Sequence, residues 1–89
     1  MKRKDGFIVR QIAGQNVAVA VGERSKTFHG MIKLNDSGLF IWNLLEKDTD
    51  EEKMIAAMLE EYDTDRDTAQ CAIRKITGAL RDAGILEES

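Results

Sequence analysis

Residues 28–45, FHGMIKLNDSGLFIWNLL, decide the fold. Phe28, Gly30, Ile32 and Leu34 alternate along one side up to Asn35. Beyond Asn35, Leu39, Phe40, Ile41, Trp42, Leu44 and Leu45 form a dense apolar run that holds the only Trp. The hydrophobic period changes from 2 to about 3.6 at one residue, which predicts a strand passing directly into a buried helix. Asn35 is the expected N-cap, its side-chain oxygen accepting from an orphaned backbone N–H, with Asp36 favourable in the first turn. The helix is apolar nearly all round, so it is expected to be contacted on several sides.

Downstream, Thr49-Asp50-Glu51-Glu52 reads as a capping box in which Thr49 and Glu52 satisfy each other's free backbone donors. Met54, Ile55, Met58, Leu59 and Tyr62 then lie on one helical face, and core packing is the commoner role of such a Met-rich stripe. Asp63-Thr64-Asp65 breaks that helix, and Asp65 is the expected cap of a third. Ala69, Ala72, Ile73, Ile76, Leu80 and Ala83 form its apolar face. Gly84 stands where a left-handed C-terminal cap is expected, followed by Ile85 and Leu86.

Upstream, Phe7–Ile12 and Asn16–Val21 are β-rich runs joined by Ala13-Gly14-Gln15, a hairpin signal. Gly22-Glu23-Arg24-Ser25 is a second turn, and Lys26–Leu34 completes a three-stranded antiparallel meander. Met1–Gly6 is a charged leader expected to fray. Three strands followed by three helices predict a single α+β domain over residues 1–89.

Size and composition bound the function. A chain of 89 residues has room for one core. With 43% hydrophobic and 33% charged residues it is an ordinary globular composition. No apolar run approaches the roughly 18–20 residues that cross a bilayer, and no secretory signal is present, so no membrane role and a cytoplasmic location are expected. One cysteine excludes an internal disulfide. Residues 1–34 carry seven Lys/Arg against two acids, a net of +5, and residues 35–89 carry a net of −8. Such asymmetry commonly serves solubility, but it also lets the strand half attract acidic segments of a partner.

The catalytic inventory is nearly empty. His29 and Cys71 are single residues of their kind, about forty positions apart, with no local motif for nucleophilic catalysis. No Cys/His set suits a structural zinc, and the acids Asp48, Asp50, Glu51 and Glu52 lack the spacing and glycine of a calcium loop. The glycines form no phosphate-binding sequence. No catalytic residue, metal site or cofactor is assigned, and an enzyme is not expected. What remains is binding. Lys26, Thr27, His29, Met31 and Lys33 lie opposite Phe28, Ile32 and Leu34 on the third strand. Lysines on an edge commonly guard against aggregation. Equally, an open edge can accept a partner's extended peptide as an added strand.

With these residues in view, the chain resembles the PqqD-like family, also called RiPP recognition elements. The resemblance rests first on Phe28-His29-Gly30-Met31-Ile32-Lys33-Leu34-Asn35, then on Gly38, Ile41-Trp42 and Leu44-Leu45. Weaker support comes from the Thr49 box, Glu61-Tyr62-Asp63, Asp65 and Leu80…Gly84-Ile85-Leu86. It covers roughly Phe7 to Leu86. Thr64 departs from the pattern, which commonly has an aliphatic residue there. The resemblance implies a winged helix-turn-helix-like fold and a peptide chaperone of natural product biosynthesis. Such a protein binds the leader segment of a ribosomally made precursor peptide and presents it to a modifying enzyme, often a radical SAM enzyme. It implies a groove between the third strand and third helix, with Thr27, Phe28, His29, Gly30, Met31, Ile32 and Lys33 on the strand side. On the helix side it points to Cys71, Arg74, Lys75, Gly78 and Arg81, with periodicity leaving both flanks of the apolar stripe open.

Two other readings use the same architecture. A winged-helix DNA-binding regulator would need a basic recognition helix, yet residues 65–83 hold four Arg/Lys against three Asp, so nucleic acid is not an expected partner. A homodimer would pair the exposed edge with its own copy.

Overall fold

A computed structural model of the chain describes residues 1–22 and 31–87. The elements are β1 (Lys2–Arg3), β2 (Phe7–Ile12), β3 (Gln15–Ala20), β4 (Met31–Leu34), α1 (Asp36–Leu44), α2 (Glu51–Glu61), α3 (Arg66–Asp82) and β5 (Leu86–Glu87). β2, β3 and β4 form an antiparallel sheet in that order, and the three helices follow, the α+β order expected from the sequence. The section 23–30, which holds the second expected turn and the first half of the third strand, lies outside the described residues. No described helix is long and apolar enough to cross a membrane.

The β2–β3 connection is a two-residue turn of Ala13 and Gly14, with φ of 53° and 77°. Two positive φ values match the right-handed strand twist, and glycine meets the demand without steric cost. α1 starts as the spacing predicts: Asn35 Oδ1 accepts from the Gly38 N–H at 2.8 Å. α3 is capped by Asp65, which accepts from the Thr68 N–H at 2.7 Å. It ends on Gly84 at φ 76°, with Ile85 N–H donating to Leu80 O at 2.9 Å and Gly84 N–H to Arg81 O at 3.0 Å. That pair of bonds satisfies carbonyls the helix end would leave orphaned, and it folds Ile85 back into the core.

α2 departs from expectation at its start. Its N-cap is Asp50, accepting from Lys53 N–H at 2.8 Å, not Thr49. The Thr49 N–H donates instead to Met1 O at 2.8 Å, and Glu52 turns to the Arg66 guanidinium of α3. The reciprocal box cannot close because the chain's first residue and α3 take its members.

The same contacts overturn the frayed leader. β1 pairs antiparallel with β5, the Met1 ammonium donates to Asp48 and to Thr49 O, and Arg3 N–H donates to Leu45 O. The Arg3 guanidinium lies 4.8 Å over the Trp42 ring. Strand pairing and charge therefore hold a segment whose composition alone reads as a tail.

The core lies between the sheet and the helices. Ile41, Trp42 and Leu45 of the first helix region meet Met54, Ile55 and Met58 of α2 and Ala69, Ile73 and Leu80 of α3, with Phe7, Ala18 and Leu34 from the sheet. Phe40 packs edge-to-face on Tyr62 at 5.4 Å, joining α1 to the end of α2. Thr77 sits buried within the apolar face of α3, its hydroxyl donating to Ile73 O at 2.9 Å, so burial leaves no polar atom unmet there.

Candidate functional site

The hairpin turn fixes which backbone groups of β4 are open. A two-residue turn makes Ile12 and Gln15 a hydrogen-bonded pair, so along β3 the residues Gln15, Val17 and Val19 direct their N–H and C=O toward β2. The bond from Val21 N–H to Gly6 O at 2.8 Å continues that alternation. Asn16 and Ala18 consequently face β4, where their partners are Leu34 and Ile32. Met31 and Lys33 are the alternate positions. Their N–H and C=O groups point away from β3, toward the open side, where no strand lies among the described residues.

Side chains alternate across the same strand. Leu34 and Ile32 turn to the core, the first buried and the second partly so, while Met31 and Lys33 are exposed on the opposite face. Of the expected strand-side residues, Met31, Ile32 and Lys33 are thus placed on one edge. Thr27, Phe28, His29 and Gly30 lie outside the described residues.

α3 has two distinguishable flanks, and contacts identify each. Ile76 Cδ1 and Leu34 Cδ2 both approach Gly38, at 3.1 and 3.5 Å from the point where a Gly38 side chain would begin. The flank carrying Ile76 therefore faces the junction of β4 and α1. Helical spacing puts Ala72, Ala79 and Ala83 on that flank. The other flank faces α2. There Arg74 donates to Glu51 from Nε at 2.7 Å and from Nη2 at 3.3 Å, and Gln70 donates to Glu51 at 3.4 Å. The guanidinium holds the Glu51 carboxyl below its ordinary range, and Glu51 in turn raises Arg74.

The expected helix residues consequently divide. Arg74 is on the α2 side, and helical spacing puts Arg81 with it. Cys71, Lys75 and Gly78 lie along the outward ridge, with Lys75 on its Ile76 side. Asp67, Gln70, Cys71, Arg74 and Lys75 line an open depression of about 580 Å³ that draws no described residue from β4. The structure does not bring Arg74 to the β4 edge. Ala72, Ile76 and Ala79 are the residues that sequence reasoning left out of the helix wall. Contact with Gly38 was the missing signal, because a helical wheel is symmetric about its apolar stripe.

The arrangement offers peptide units at Met31 and Lys33 that no strand among the described residues pairs, an apolar flank beside them and a lysine at either side. Chemically that suits hydrogen bonding to an extended chain. Among the described residues no three of His, Cys, Asp or Glu gather where they would hold a metal ion.

Comparisons with known proteins give the family and the fold. The family model for coenzyme PQQ synthesis protein D (PqqD) matches residues 17–86. Among solved structures, the chain is similar to TbiB1 in complex with the TbiA(beta) leader peptide, at 27% identity and a TM-score of 0.73, covering 100% of this chain and 98% of that one. No curated protein matches the sequence.

Proposed function

Because this chain belongs to the PqqD family, we propose that it is a non-catalytic recognition protein for the leader segment of a ribosomally made precursor peptide. The leader adds as a strand on the open edge of β4, beside α3, and is presented there to a modifying enzyme, such as a radical SAM enzyme. The observation that carries this reading is the pair of outward peptide units at Met31 and Lys33. The likeness to a protein solved with a leader peptide, over the whole of both chains, supports it. Met31, Ile32 and Lys33, with Thr27 to Gly30 before them, form the strand side.

On the helix side, Ile76 with its neighbours Ala72 and Ala79 supplies apolar contact, and Lys75 supplies charge at the rim. Backbone pairing gives affinity that tolerates varied sequence, while the apolar wall selects alternate side chains. Lysines at the rim speed encounter with acidic leaders and fix register. Cys71 and Gly78 lie further out on the ridge, and Arg74 and Arg81 contribute to the field on the far flank. The protein works in the cytoplasm, where precursor and enzyme are made.

No observation favours DNA binding. Two of the four cations on the third helix, Arg66 and Arg74, are joined to Glu52 and Glu51. The test is titration of the isotopically labelled chain with a synthetic leader from the precursor encoded beside its gene. NMR shifts at Met31–Lys33 and Ile76 are expected. Shifts confined to other surfaces, or binding to a DNA duplex in their place, would overturn the reading.

A further inference from the structure

Gly38 is a glycine that its own backbone does not require. It lies inside α1 without the positive φ of Gly14 or Gly84, and glycine is a poor helix former. Space is the reason for it. A Cβ added at Gly14, Gly22, Gly78 or Gly84 would meet nothing within 4 Å. At Gly38 it would stand 3.0 Å from Asn35 Oδ1, 3.1 Å from Ile76 Cδ1 and 3.5 Å from Leu34 Cδ2.

Two of these three neighbours are held. Asn35 Oδ1 accepts from Gly38 N–H at 2.8 Å and from Ser37 Oγ at 3.1 Å, so it cannot retreat without uncapping α1. Leu34 is buried at the end of β4. Ile76 is the neighbour with freedom. It is half-buried, its δ-methyl laid against α1 and its open side toward the groove between β4 and α3. Rotation about χ2 would swing that methyl away from Gly38 into the space beside β4. Along this flank Ile76 stands between Ala72 and Ala79, with Ala83 beyond, so it is the one large side chain there. Its height sets the depth of the helix wall.

We propose that Gly38 is a positioning residue for leader selection: by seating the Ile76 δ-methyl it keeps the wall low, so that the groove admits a leader side chain of leucine or phenylalanine size over Ile76. This rests on the leader function proposed above and adds a determinant of which leader is taken. Gly38 is itself buried, so it acts only through Ile76.

The experiment uses the full chain, the synthetic leader and a series in which each apolar leader residue is replaced in turn by Ala, Leu and Phe. Gly38→Ala is expected to bind the leader about fivefold more weakly, and to lose most against the larger side chains. Adding Ile76→Val, which deletes the methyl that Gly38 seats, should return affinity to within about twofold of native. Ile76→Val alone lowers the wall by one carbon and should favour the larger side chain by about fourfold. The carbon resonance of the Ile76 δ-methyl, which follows χ2, should shift in Gly38→Ala before any leader is added. A Gly38 needed only for stability would leave the size preference unchanged. Native leader affinity in folded Gly38→Ala would overturn the proposal, as would a loss that Ile76→Val does not restore. If Gly38→Ala fails to fold, an unchanged size preference in Ile76→Val overturns it alone. A native chain that binds none of these peptides sinks the peptide reading and the proposal together, whereas failure of the proposal alone shows native binding without rescue.

Discussion

The δ-carbon of Ile76 lies 3.1 Å from the point where a side chain on Gly38 would begin, so α3 rests on a missing methyl group of α1. The same point is 3.0 Å from Asn35 Oδ1 and 3.5 Å from Leu34 Cδ2. The end of β4, the cap of α1 and the groove flank of α3 converge there. Positioning of the strand edge against the helix wall depends on that convergence.

Gly38→Ala places two effects in opposition. Helix propensity favours alanine by up to about 1 kcal/mol, whereas crowding a packed site costs roughly 1–3 kcal/mol. The added carbon also presses on the oxygen that caps α1. A net loss of about 1 kcal/mol is expected in urea unfolding, with Ile76→Val recovering part of it.

Ala13 occupies the first central position of the hairpin turn at φ 53°, where a Cβ is unwelcome. Replacing it with Gly or Asn should raise stability by about 0.5–1 kcal/mol, read from the urea midpoint. Leader affinity should not change, because the turn is at the far end of the sheet from the Met31 end of β4.

Arg3 ties the chain's start to the core. Its guanidinium stacks over Trp42 and its Nε donates to Trp42 O at 3.2 Å. Arg3→Ala should cost about 1 kcal/mol. Arg3→Lys should recover little, because an ammonium neither stacks on the ring in that plane nor offers the same fork. Thermal unfolding of the three proteins measures both effects.

Three carboxyls sit below their ordinary range in the folded chain. Asp48 is lowered by its hydrogen bond from the Met1 ammonium, Glu51 by the Arg74 guanidinium, and Asp65 by the Thr68 backbone N–H it caps. A depressed folded value means the contribution is present above the unfolded value and is lost as pH falls through the folded one. Stability should therefore stay level from neutrality to about pH 5 and decline below about pH 4. The decline is shallow and weakened by salt, because these groups lie near the surface. Asp65→Asn keeps a capping oxygen but removes a titration, so it should flatten the profile.

Much of the fold was legible because its signals are local. The period change at Asn35, the acidic cap at Asp65 and the glycine at position 84 each act within one helical turn, and each does what its spacing predicts. Thr49 carried an equally good local signal and lost, since Met1 claims its backbone donor from forty-eight residues away in sequence. The ordered start of the chain was illegible for the same reason: Lys2 and Arg3 look like a solvated tail until Leu86 and Glu87 stand beside them. At the site, the strand edge followed from alternation. The helix wall did not, because Arg74 and Ile76 flank one stripe symmetrically and only Glu51 and Gly38 distinguish them.

The most direct test of the account is amide hydrogen exchange across β4, with and without the leader peptide. Ile32 and Leu34 direct their N–H groups at β3 and should be protected in both states. Met31 and Lys33 point to the open edge and should exchange freely alone and slow by about tenfold or more when a leader strand adds there. Unchanged exchange at Met31 and Lys33 under saturating leader, with protection appearing elsewhere, would contradict strand addition on this edge.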